Sequence, residues 1–514
     1  MRITSSRIIA AALLPVVAGI VSGCETDGSP NGQSPSGKFH VSKDAGKRMT
    51  ISIVANSQGS TFPDGTDENH NEYLDYIEQN TNLDIKVTLP PLDGYDDKLS
   101  VMMSSGDLPD MLNAPNPSWF INYVNRNALM PLDDVIERYG PELKERIPQE
   151  AWENVTVNGH IYAVPSLNEV KGAEIMYVRK DWLDRLGLQP PRTLDEYYKV
   201  MKAFAERDPD GNGKNDTIGF AILERLGRTA PIFGAFGTQI MQSAWYERDG
   251  RLVAGATLPE TKEALAFLAK LYEEKLLDPL FPLNKSANFQ EKIVSGKVGL
   301  FSAAWSDTRG PIEASRKKDP NAVWIPLEFP IGPNGSKGTY DMSLVRSYNV
   351  IPATSKNAEG VIRFLNFIGG KGHRDLKLGF ENEIWTKVDG KMITNFEEHT
   401  KHYYRGIYSA LADTIEPDVS KDRLDSLGEQ FNLWDNLQRI ERSLIRSKFT
   451  GTPTPAMGKY NVRLLKEQDE AFTKIVLGAA PLSEFDAFVE RWYSEGGEEI
   501  TREVNEWYDR RQMK

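Results

Sequence analysis

The chain has 514 residues, of which 40% are hydrophobic and 26% are charged, the composition of an ordinary globular protein. This length suffices for about two to four domains, or for two large lobes. The formal net charge is −12 at pH 7. Because nucleic-acid phosphates require a basic face, this balance predicts no nucleic-acid partner.

The N-terminus has the pattern of a secretory signal peptide, which we assign to residues 1–23. Arg2 and Arg7 form a short positive region before an apolar run at 8–20, IIAAALLPVVAGI. This run is too short to span a bilayer comfortably. The following VSGC resembles the lipobox of bacterial lipoproteins, which implies cleavage before Cys24 and lipidation of Cys24. No other cysteine exists for an internal disulfide. A plain signal peptide with an incidental cysteine is the alternative.

Residues 24–48 are predicted to be a flexible linker to the lipid anchor, because residues 25–47 are rich in Gly, Ser, Pro and charge. One acyl chain binds a bilayer only marginally, and the several lipids of a lipoprotein would supply stable anchoring. The sequence thus predicts a body held at the extracellular face of the cell membrane in a Gram-positive bacterium, or on the periplasmic side in a Gram-negative one.

The mature chain alternates predicted strands and helices. MTISIVA (49–55) and LDIKVTL (83–89) alternate in hydrophobicity and flank a helical pattern at 68–82, which predicts a βαβ unit and a parallel sheet. Residues 95–114 repeat this scheme. A strand and two helices follow within 173–208, where Thr193 and Glu196 form a capping box. The later predicted elements are a helix at 260–277, a helix and a strand within 287–305, a strand at 343–352, a helix at 356–370 and a mainly helical tail at 421–512.

Several segments resemble extracellular solute-binding proteins of ABC importers, most closely a long lipoprotein subgroup of that family. They are GDLPDMLNAPNP (106–117), NGHIYAVPS (158–166), MYVRKDWLDRLGLQPPRTLDEYYKVMKAF (176–204), GKVGLF (296–301) and AFTKIVLGAAPLSEFDAFVERWYSEGGEEITREVNEWYDR (471–510). The resemblance implies a periplasmic-binding-protein type II fold. This is an α/β fold of two lobes with the ligand cleft between them and, here, a helical C-terminal region.

The expected first lobe comprises residues 49–165 and about 345–400, and the second comprises about 170–340 and about 401–514. The resemblance further implies a monomeric, membrane-anchored receptor. It would capture an oligosaccharide by cleft closure and deliver it to the permease subunits of an ABC transporter.

A loop at 207–220, RDPDGNGKNDTIGF, is similar to one that holds a structural calcium ion in alginate-binding proteins. The spacing supports calcium independently, since Ca²⁺ takes six to eight oxygen ligands and acidic loops supply them at alternate positions. The predicted ligands are the side chains of Asp208, Asp210, Asn212 and Asp216 and the main-chain carbonyl of Lys214. Gly219 stands where an EF-hand has its bidentate Glu, and Thr217 where family members can carry an acid. A metal-free turn is the alternative.

Sugar pockets combine flat apolar faces with a few polar groups that bond hydroxyls. The family resemblance places Trp305, at the end of the strand GLFSAAW, in the cleft. Core packing is the alternative for Trp305 and Trp434, and a hinge salt bridge is the alternative for Arg179. The full set of candidates is Asn56, Ser57, Gln58, Asn113, Asn116, Trp119, Asn168, Glu169, Arg179, Trp245, Trp305 and Trp434.

No catalytic signature such as HExxH, GxSxG or a P-loop occurs in the chain, which predicts that it is not an enzyme. A surface polysaccharide hydrolase, a peptide-binding receptor and a glycan-binding adhesin or sensor remain as alternatives. His399 and His402 have a spacing that could bind a transition metal, but no third ligand is evident, so a solvated helix face is favoured.

Overall fold

The structure, a computed structural model, describes residues 48–106 and 108–512, apart from the side chains of Pro417 and Asp418. The predicted signal peptide, the lipidation site Cys24 and the predicted linker up to residue 47 lie outside the described residues. Among the described residues, no helix combines the length and the apolar character needed to cross a membrane.

The strands are short and rich in β-branched and aromatic residues, as strand propensity favours. They are β1 (Met49–Val54), β2 (Leu83–Thr88), β3 (Met111–Ala114), β4 (Thr156–Val157), β5 (His160–Ile161), β6 (Val164–Leu167), β7 (Glu174–Arg179), β8 (Trp245–Arg248), β9 (Arg251–Ala254), β10 (Leu300–Ala304), β11 (Trp324–Pro326), β12 (Thr339–Tyr340), β13 (Val345–Val350), β14 (Trp385–Val388), β15 (Lys391–Thr394) and β16 (Leu444–Ile445).

The helices occupy most of the predicted helical segments. They are α1 (Glu72–Thr81), α2 (Tyr95–Ser105), α3 (Pro117–Asn125), α4 (Asp133–Tyr139), α5 (Pro141–Arg146), α6 (Gln149–Glu153), α7 (Lys180–Leu186), α8 (Leu194–Glu206), α9 (Ala230–Ala235), α10 (Pro259–Glu273), α11 (Ser286–Val294), α12 (Pro311–Lys318), α13 (Ala358–Gly369), α14 (His373–Leu378), α15 (Phe396–Lys401), α16 (Gly406–Ser409), α17 (Pro417–Ser426), α18 (Leu433–Glu441), α19 (Pro455–Val476), α20 (Glu484–Trp492) and α21 (Glu498–Gln512). The predicted capping box is confirmed, because Thr193 and Glu196 bond each other's backbone at the start of α8.

The first sheet has the strand order β2-β1-β3-β13-β6. Strands β1, β2 and β3 are parallel, which confirms the predicted βαβ unit around α1. The sheet as a whole is mixed, however, since β13 runs antiparallel to both β3 and β6. Strand β13 comes from the distant second half of the chain, and no local pattern fixes its direction.

The second sheet has the strand order β10-β7-β11, and both pairings are antiparallel. Its central strand, β7, is buried along its whole length. Because side chains alternate across a strand, Met176 and Val178 pack into one apolar cluster while Ile175 and Tyr177 pack into another on the opposite face. This sheet is therefore covered on both sides.

Two sets of segments build the hydrophobic cores. The first core draws on Ile51 to Leu167 and on Val345 to Ala412. The clusters around the second sheet draw on Ile175 to Phe329 and on Ile440 to Val504. We propose that these cores mark the two lobes. The predicted lobe limits stay a proposal, and the packing of Tyr404 and Tyr408 on the first core favours a first lobe that extends beyond residue 400.

Candidate functional site

Trp305 and Trp434 lie together beside the second sheet. Trp305 directly follows β10, and Trp434 lies on α18, as the sequence predicts for a helix around it. Both indoles are partly buried against an apolar cluster that contains Leu424, Leu427 and Phe431. The backbone of Trp305 is fixed at both ends. Its amide donates to the carbonyl of Ala173 at 2.9 Å, and its carbonyl accepts from Asn436 Nδ2 at 2.9 Å.

Arg309 extends this aromatic group toward the first core. Its guanidinium carbon lies 5.3 Å from the ring centre of Phe396 and 5.7 Å from that of Phe431. Burial lowers the pKa of Arg309, although an arginine stays charged at any physiological pH. Within residues 48–106 and 108–512, no carboxylate forms an ion pair with Arg309, although the charge of Glu313 partly offsets the effect of burial on its pKa. Arg309 is thus a half-buried cation between two rings, and the carboxylate that acts on it, Glu313, is itself paired with Lys317.

Tyr403 and His399 continue the surface on the far side of Phe396. Their rings lie 6.0 Å apart, and Tyr403 is 59% exposed. Burial, together with Arg405, Arg309 and Arg423, lowers the pKa of His399 to about 3, so its imidazole is neutral at physiological pH. We name this group the aromatic–arginine surface. It consists of Arg309 and five aromatic residues: Trp305, Phe396, Tyr403, Phe431 and Trp434.

The aromatic–arginine surface has the chemistry of a carbohydrate platform. Flat rings present apolar faces to the C–H faces of pyranoses, and a guanidinium offers donors to hydroxyls or carboxylates. The sequence predicts ligand contacts for Trp305 and Trp434, which stay predictions, and it did not propose Arg309, Phe396, Tyr403 or Phe431. The signal available for Arg309 was its position in the break SDTRG that follows Trp305. Nothing local distinguishes the other aromatics from ordinary surface or core residues.

A network of ion pairs lies where the chain passes between the cores. Glu169 follows β6, and its Oε2 lies 2.8 Å from Arg423 Nη2 and 3.0 Å from Lys377 Nζ. Lys377 also donates to Asp413 at 2.6 Å, and His373 Nε2 lies 3.1 Å from the same carboxylate. The network ties the segment after β6 to α14, α17 and the segment after α16.

The charges of this network hold its carboxylates ionised. Burial raises the pKa of Glu169, but the positive charges of Arg423 and Lys377 outweigh burial and bring it down to about 2. Burial likewise opposes ionisation of Asp413, and Lys377 and His373 lower its pKa despite that. Glu169 also lines a pocket of about 130 Å³ together with Ser420 and Trp434.

The other polar candidates bond to the protein itself. Asn56 and Ser57 accept from loop amides, and Gln58 Oε1 accepts from Arg346. Asn168 Nδ2 donates to the carbonyl of Ser343 at 2.6 Å. Asn113 bonds Ser347 and Asn349, and Asn116 caps α3. A role of these side chains in ligand binding stays a prediction.

The remaining aromatic and arginine candidates are largely buried. Trp119 is 6% exposed and donates to Ser100, and Trp245 is 1% exposed within the second core. Arg179 bonds Asp181 and Asp319 and packs over the ring of Trp182. None of the three belongs to the aromatic–arginine surface, and their proposed ligand contacts also stay predictions.

The predicted calcium loop gathers its carboxylates around Asn212. The amide of Asn212 donates to Asp208 Oδ1 at 3.0 Å, and its side-chain Nδ2 donates to Asp210 Oδ2 at 2.7 Å and to Asp216 Oδ1 at 3.1 Å. Asp216 additionally bonds Lys297. Burial and the neighbouring Asp208 raise the pKa of Asp210, the expected result of crowding negative charge.

Two positions explain why the loop departs from an EF-hand. Thr217 points inward, where its hydroxyl donates to the carbonyl of Phe204 at 2.6 Å, so it is turned away from the loop. A Cβ on Gly219 would lie 2.4 Å from the carbonyl oxygen of Met201 and 2.8 Å from that of Leu276. Backbone packing therefore leaves no room for a Glu at that position.

The sequence of this chain is similar to those of known solute-binding proteins. A family model for bacterial extracellular solute-binding proteins matches residues 57–374. Lipoprotein LipO of Bacillus subtilis (strain 168) is 26% identical over 515 residues, covering 96% of this chain and 97% of LipO.

Two solved structures share the fold. Alginate-binding protein AlgQ2 without calcium ion has a TM-score of 0.72 at 20% identity over 90% of this chain and 98% of its own. The substrate-binding protein FusA of S. pneumoniae in complex with kestose has a TM-score of 0.72 at 19% identity over 90% and 99%. A second FusA structure is described as an EF-hand mutant. The predicted solute-binding fold is confirmed.

We predict that Glu169→Gln destabilises the protein in a pH-dependent way. The folded-state pKa is lowered from 4.5 to about 2, so the stabilisation is complete above pH 4.5 and is lost as pH falls toward 2. A shift of this size corresponds to about 3 kcal/mol at neutral pH. Urea denaturation at about pH 7 and about pH 3 measures the difference between variant and wild type.

Glu137→Gln is the matched control for Glu169→Gln, because Glu137 pairs with Lys144 at the exposed surface. It should change the free energy of unfolding by less than about 1 kcal/mol at either pH. An equal loss for Glu169→Gln at both pH values would show that Glu169 does not act through its charge.

Proposed function

We propose that this chain, which belongs to the family of bacterial extracellular solute-binding proteins, captures an oligosaccharide in its cleft and delivers it to an ABC permease. The ligand class is supported by the neighbours of this fold, one an alginate-binding protein and one solved with kestose. It is supported independently by the aromatic–arginine surface, in which Arg309 meets Phe396 of α15, and Tyr403 directly precedes Tyr404 of the first core.

Arg309 is the observation that carries the proposal. A partly buried guanidinium without an acidic partner is costly, and a ligand that supplies hydrogen-bond acceptors removes that cost. Phe396 and Phe431 hold the cation in place, and Trp305 offers a flat face beside it. A sugar ring stacked on Trp305 with a hydroxyl or carboxylate toward Arg309 satisfies both groups.

Capture works by a shift of population between open and closed arrangements of the lobes. A ligand that contacts both lobes binds the closed state more tightly and favours it by that difference in affinity. The closed monomer then docks on the permease subunits, where ATP hydrolysis drives import on the cytoplasmic side. In this proposal the chain binds and releases its ligand without changing it, so it is not an enzyme.

Thermal unfolding against a panel of neutral and acidic oligosaccharides tests the binding function. A true ligand at about 100 times its dissociation constant adds about 2.7 kcal/mol of stability and raises Tm by several degrees. With that ligand, Trp305→Ala is expected to weaken binding by about 1–3 kcal/mol, because it removes the stacking face. Isothermal titration calorimetry measures the change.

Trp507→Ala serves as the matched control, since Trp507 is a partly buried tryptophan that packs on Phe449, away from this surface. It should leave ligand affinity unchanged even if Tm falls. A ligand consumed during incubation would identify a hydrolase. Responses to peptides alone, or unchanged affinity of Trp305→Ala, would contradict the proposed site.

We also propose that the loop at 208–216 holds a structural calcium ion through Asp208, Asp210, Asn212, the carbonyl of Lys214, and Asp216. The crowded carboxylates favour a divalent cation, and the remaining positions are left to water because Thr217 and Gly219 cannot contribute side-chain ligands. The ion would brace the end of α8 against Lys297, outside the aromatic–arginine surface. AlgQ2 and the FusA EF-hand mutant support calcium in related proteins.

Asp210→Ala is expected to lower calcium affinity at least about tenfold and to abolish the rise in Tm caused by calcium, because one charged ligand is lost. In the described part of the chain, Asp210 bonds only residues of its own loop, Asn212 and Asp208, so the variant should fold. Asp184→Ala, which removes a surface partner of Lys180, is the control and should keep the calcium response. If wild type gains no stability from calcium, the loop is a metal-free turn.

The lipid anchor at Cys24 is a further proposal, supported by the VSGC ending and by the name of the relative LipO. Cys24→Ser is expected to move the protein expressed in a Gram-positive host from the detergent phase to the aqueous phase of a Triton X-114 partition, because no acyl chain can attach. Ser22→Ala retains the cysteine and should stay in the detergent phase. Detergent partition of Cys24→Ser would contradict lipidation.

A further inference from the structure

Glu72, Glu383 and His402 form a compact group at the edge of the first core, which we name the Glu–His cluster. One ligand atom from each residue lies within 4.8 Å of the other two. Glu72 begins α1, Glu383 lies between α14 and β14, and His402 directly follows α15 as its C-cap. The fold thus brings three distant segments to one point. The spacing of His399 and His402 did not predict this group, since it supplied no third ligand.

The imidazole of His402 is the centre of the cluster. Its Nδ1 contacts Glu72 Oε1, while its Nε2 lies 3.9 Å from Glu383 Oε1 and 3.5 Å from Glu398 Oε2. His399 does not join it, because His399 Nδ1 accepts from Arg405 Nη2 at 3.0 Å. Three carboxylates therefore face a single imidazole.

The negative charge of the cluster is not neutralised by the protein. Glu398 also bonds Lys401, but in the described part of the chain the ion pairs of Glu72 and Glu383 are with His402 alone. Two glutamates that share one weak base leave a net negative site at neutral pH. A divalent cation relieves this repulsion and uses the same atoms as ligands.

Aromatic rings enclose His402 on the protein side. Tyr73 lies 5.9 Å away edge-on, and Tyr404 stacks at 6.1 Å and also donates from its hydroxyl to Glu72 Oε1 at 3.3 Å. The side chain of His402 is 15% exposed, whereas those of Glu72 and Glu383 are 38% and 45% exposed. The imidazole is therefore held in orientation, and the carboxylates leave a path from solvent.

We propose that the Glu–His cluster binds one divalent transition-metal ion of the Zn²⁺ class. One imidazole and two carboxylates match the ligand types of Zn²⁺, and open positions would be completed by water or Glu398. The site is distinct from the loop at 208–216, which offers only oxygen ligands and suits Ca²⁺. The bound ion fastens residues 383–402 to α1.

Direct titration with Zn²⁺ tests the site. The purified full chain, stripped of metal and kept in excess Ca²⁺ to occupy oxygen-only sites, should take up one equivalent of Zn²⁺ by isothermal titration calorimetry. Glu383→Gln and His402→Ala should each weaken this binding at least about tenfold. Glu383→Gln keeps the shape of the side chain, so it separates loss of a ligand from loss of fold. Glu397→Gln, on the same helix and paired only with Lys401, should bind as wild type does.

Cobalt gives a second readout that depends on the ligands themselves. Co²⁺ in place of Zn²⁺ should produce visible absorption bands that disappear in His402→Ala, with circular dichroism showing that the variant is folded. His70 and Asp67 form an exposed pair that could bind Zn²⁺ adventitiously. Loss of binding in His70→Ala but not in Glu383→Gln would overturn the proposal, as would the absence of one-equivalent binding by wild type.

Discussion

The ion pairs around Glu169 fix the segment that crosses from the first core to the second, beside the direct packing of α3 on α19. Glu169 lies on the segment that leaves the first sheet for the second, and it binds Lys377 of α14 and Arg423 of α17 at once. A buried carboxylate that loses its cations is strongly destabilising. The segment around Glu169 therefore keeps its position relative to α14 and α17. Ion pairs are directional but contribute less apolar burial than a core does. The ion pairs can therefore fix the path of the crossing segment, while α3 and α19 supply the apolar contact between the two cores.

The aromatic–arginine surface lies close to these ion pairs and, like them, contains a partly buried arginine. Arg423 pairs with Glu169, whereas Arg309 forms no ion pair in the described part of the chain and packs over the rings of Phe396 and Phe431. The two arginines illustrate the difference between a structural charge and one left available for a ligand. Trp434 and Glu169 also line one pocket, so the proposed ligand contact at Trp434 lies beside the ion pairs.

Local sequence patterns predicted the elements of this fold better than their assembly. Alternation located β1 and β2, helical spacing located α1, and Thr193 marked the start of α8, because each depends on neighbours in sequence. The antiparallel entry of β13 into the first sheet depends on contacts with distant strands, and no short pattern encodes it. The same limit applies to the site. Trp305 was proposed from its position at a strand end. Arg309 and Phe396 are far apart in sequence, and only the folded structure shows that they are in contact.

The short helix α15 joins the proposed metal site to the proposed ligand surface. Phe396, at its start, contacts Arg309, and His402, at its end, belongs to the Glu–His cluster. An ion that orders α15 would reduce the conformational entropy that ligand binding must otherwise remove. By thermodynamic linkage, the ligand would then raise metal affinity by the same factor as the metal raises ligand affinity. The calcium loop carries no such coupling through α15, since its ligands and their contacts lie at the end of α8 and at Lys297. The two proposed metal sites would therefore differ in consequence as well as in chemistry: the calcium ion would brace the end of α8, and the ion of the Glu–His cluster would act on α15, which carries Phe396 of the proposed ligand surface.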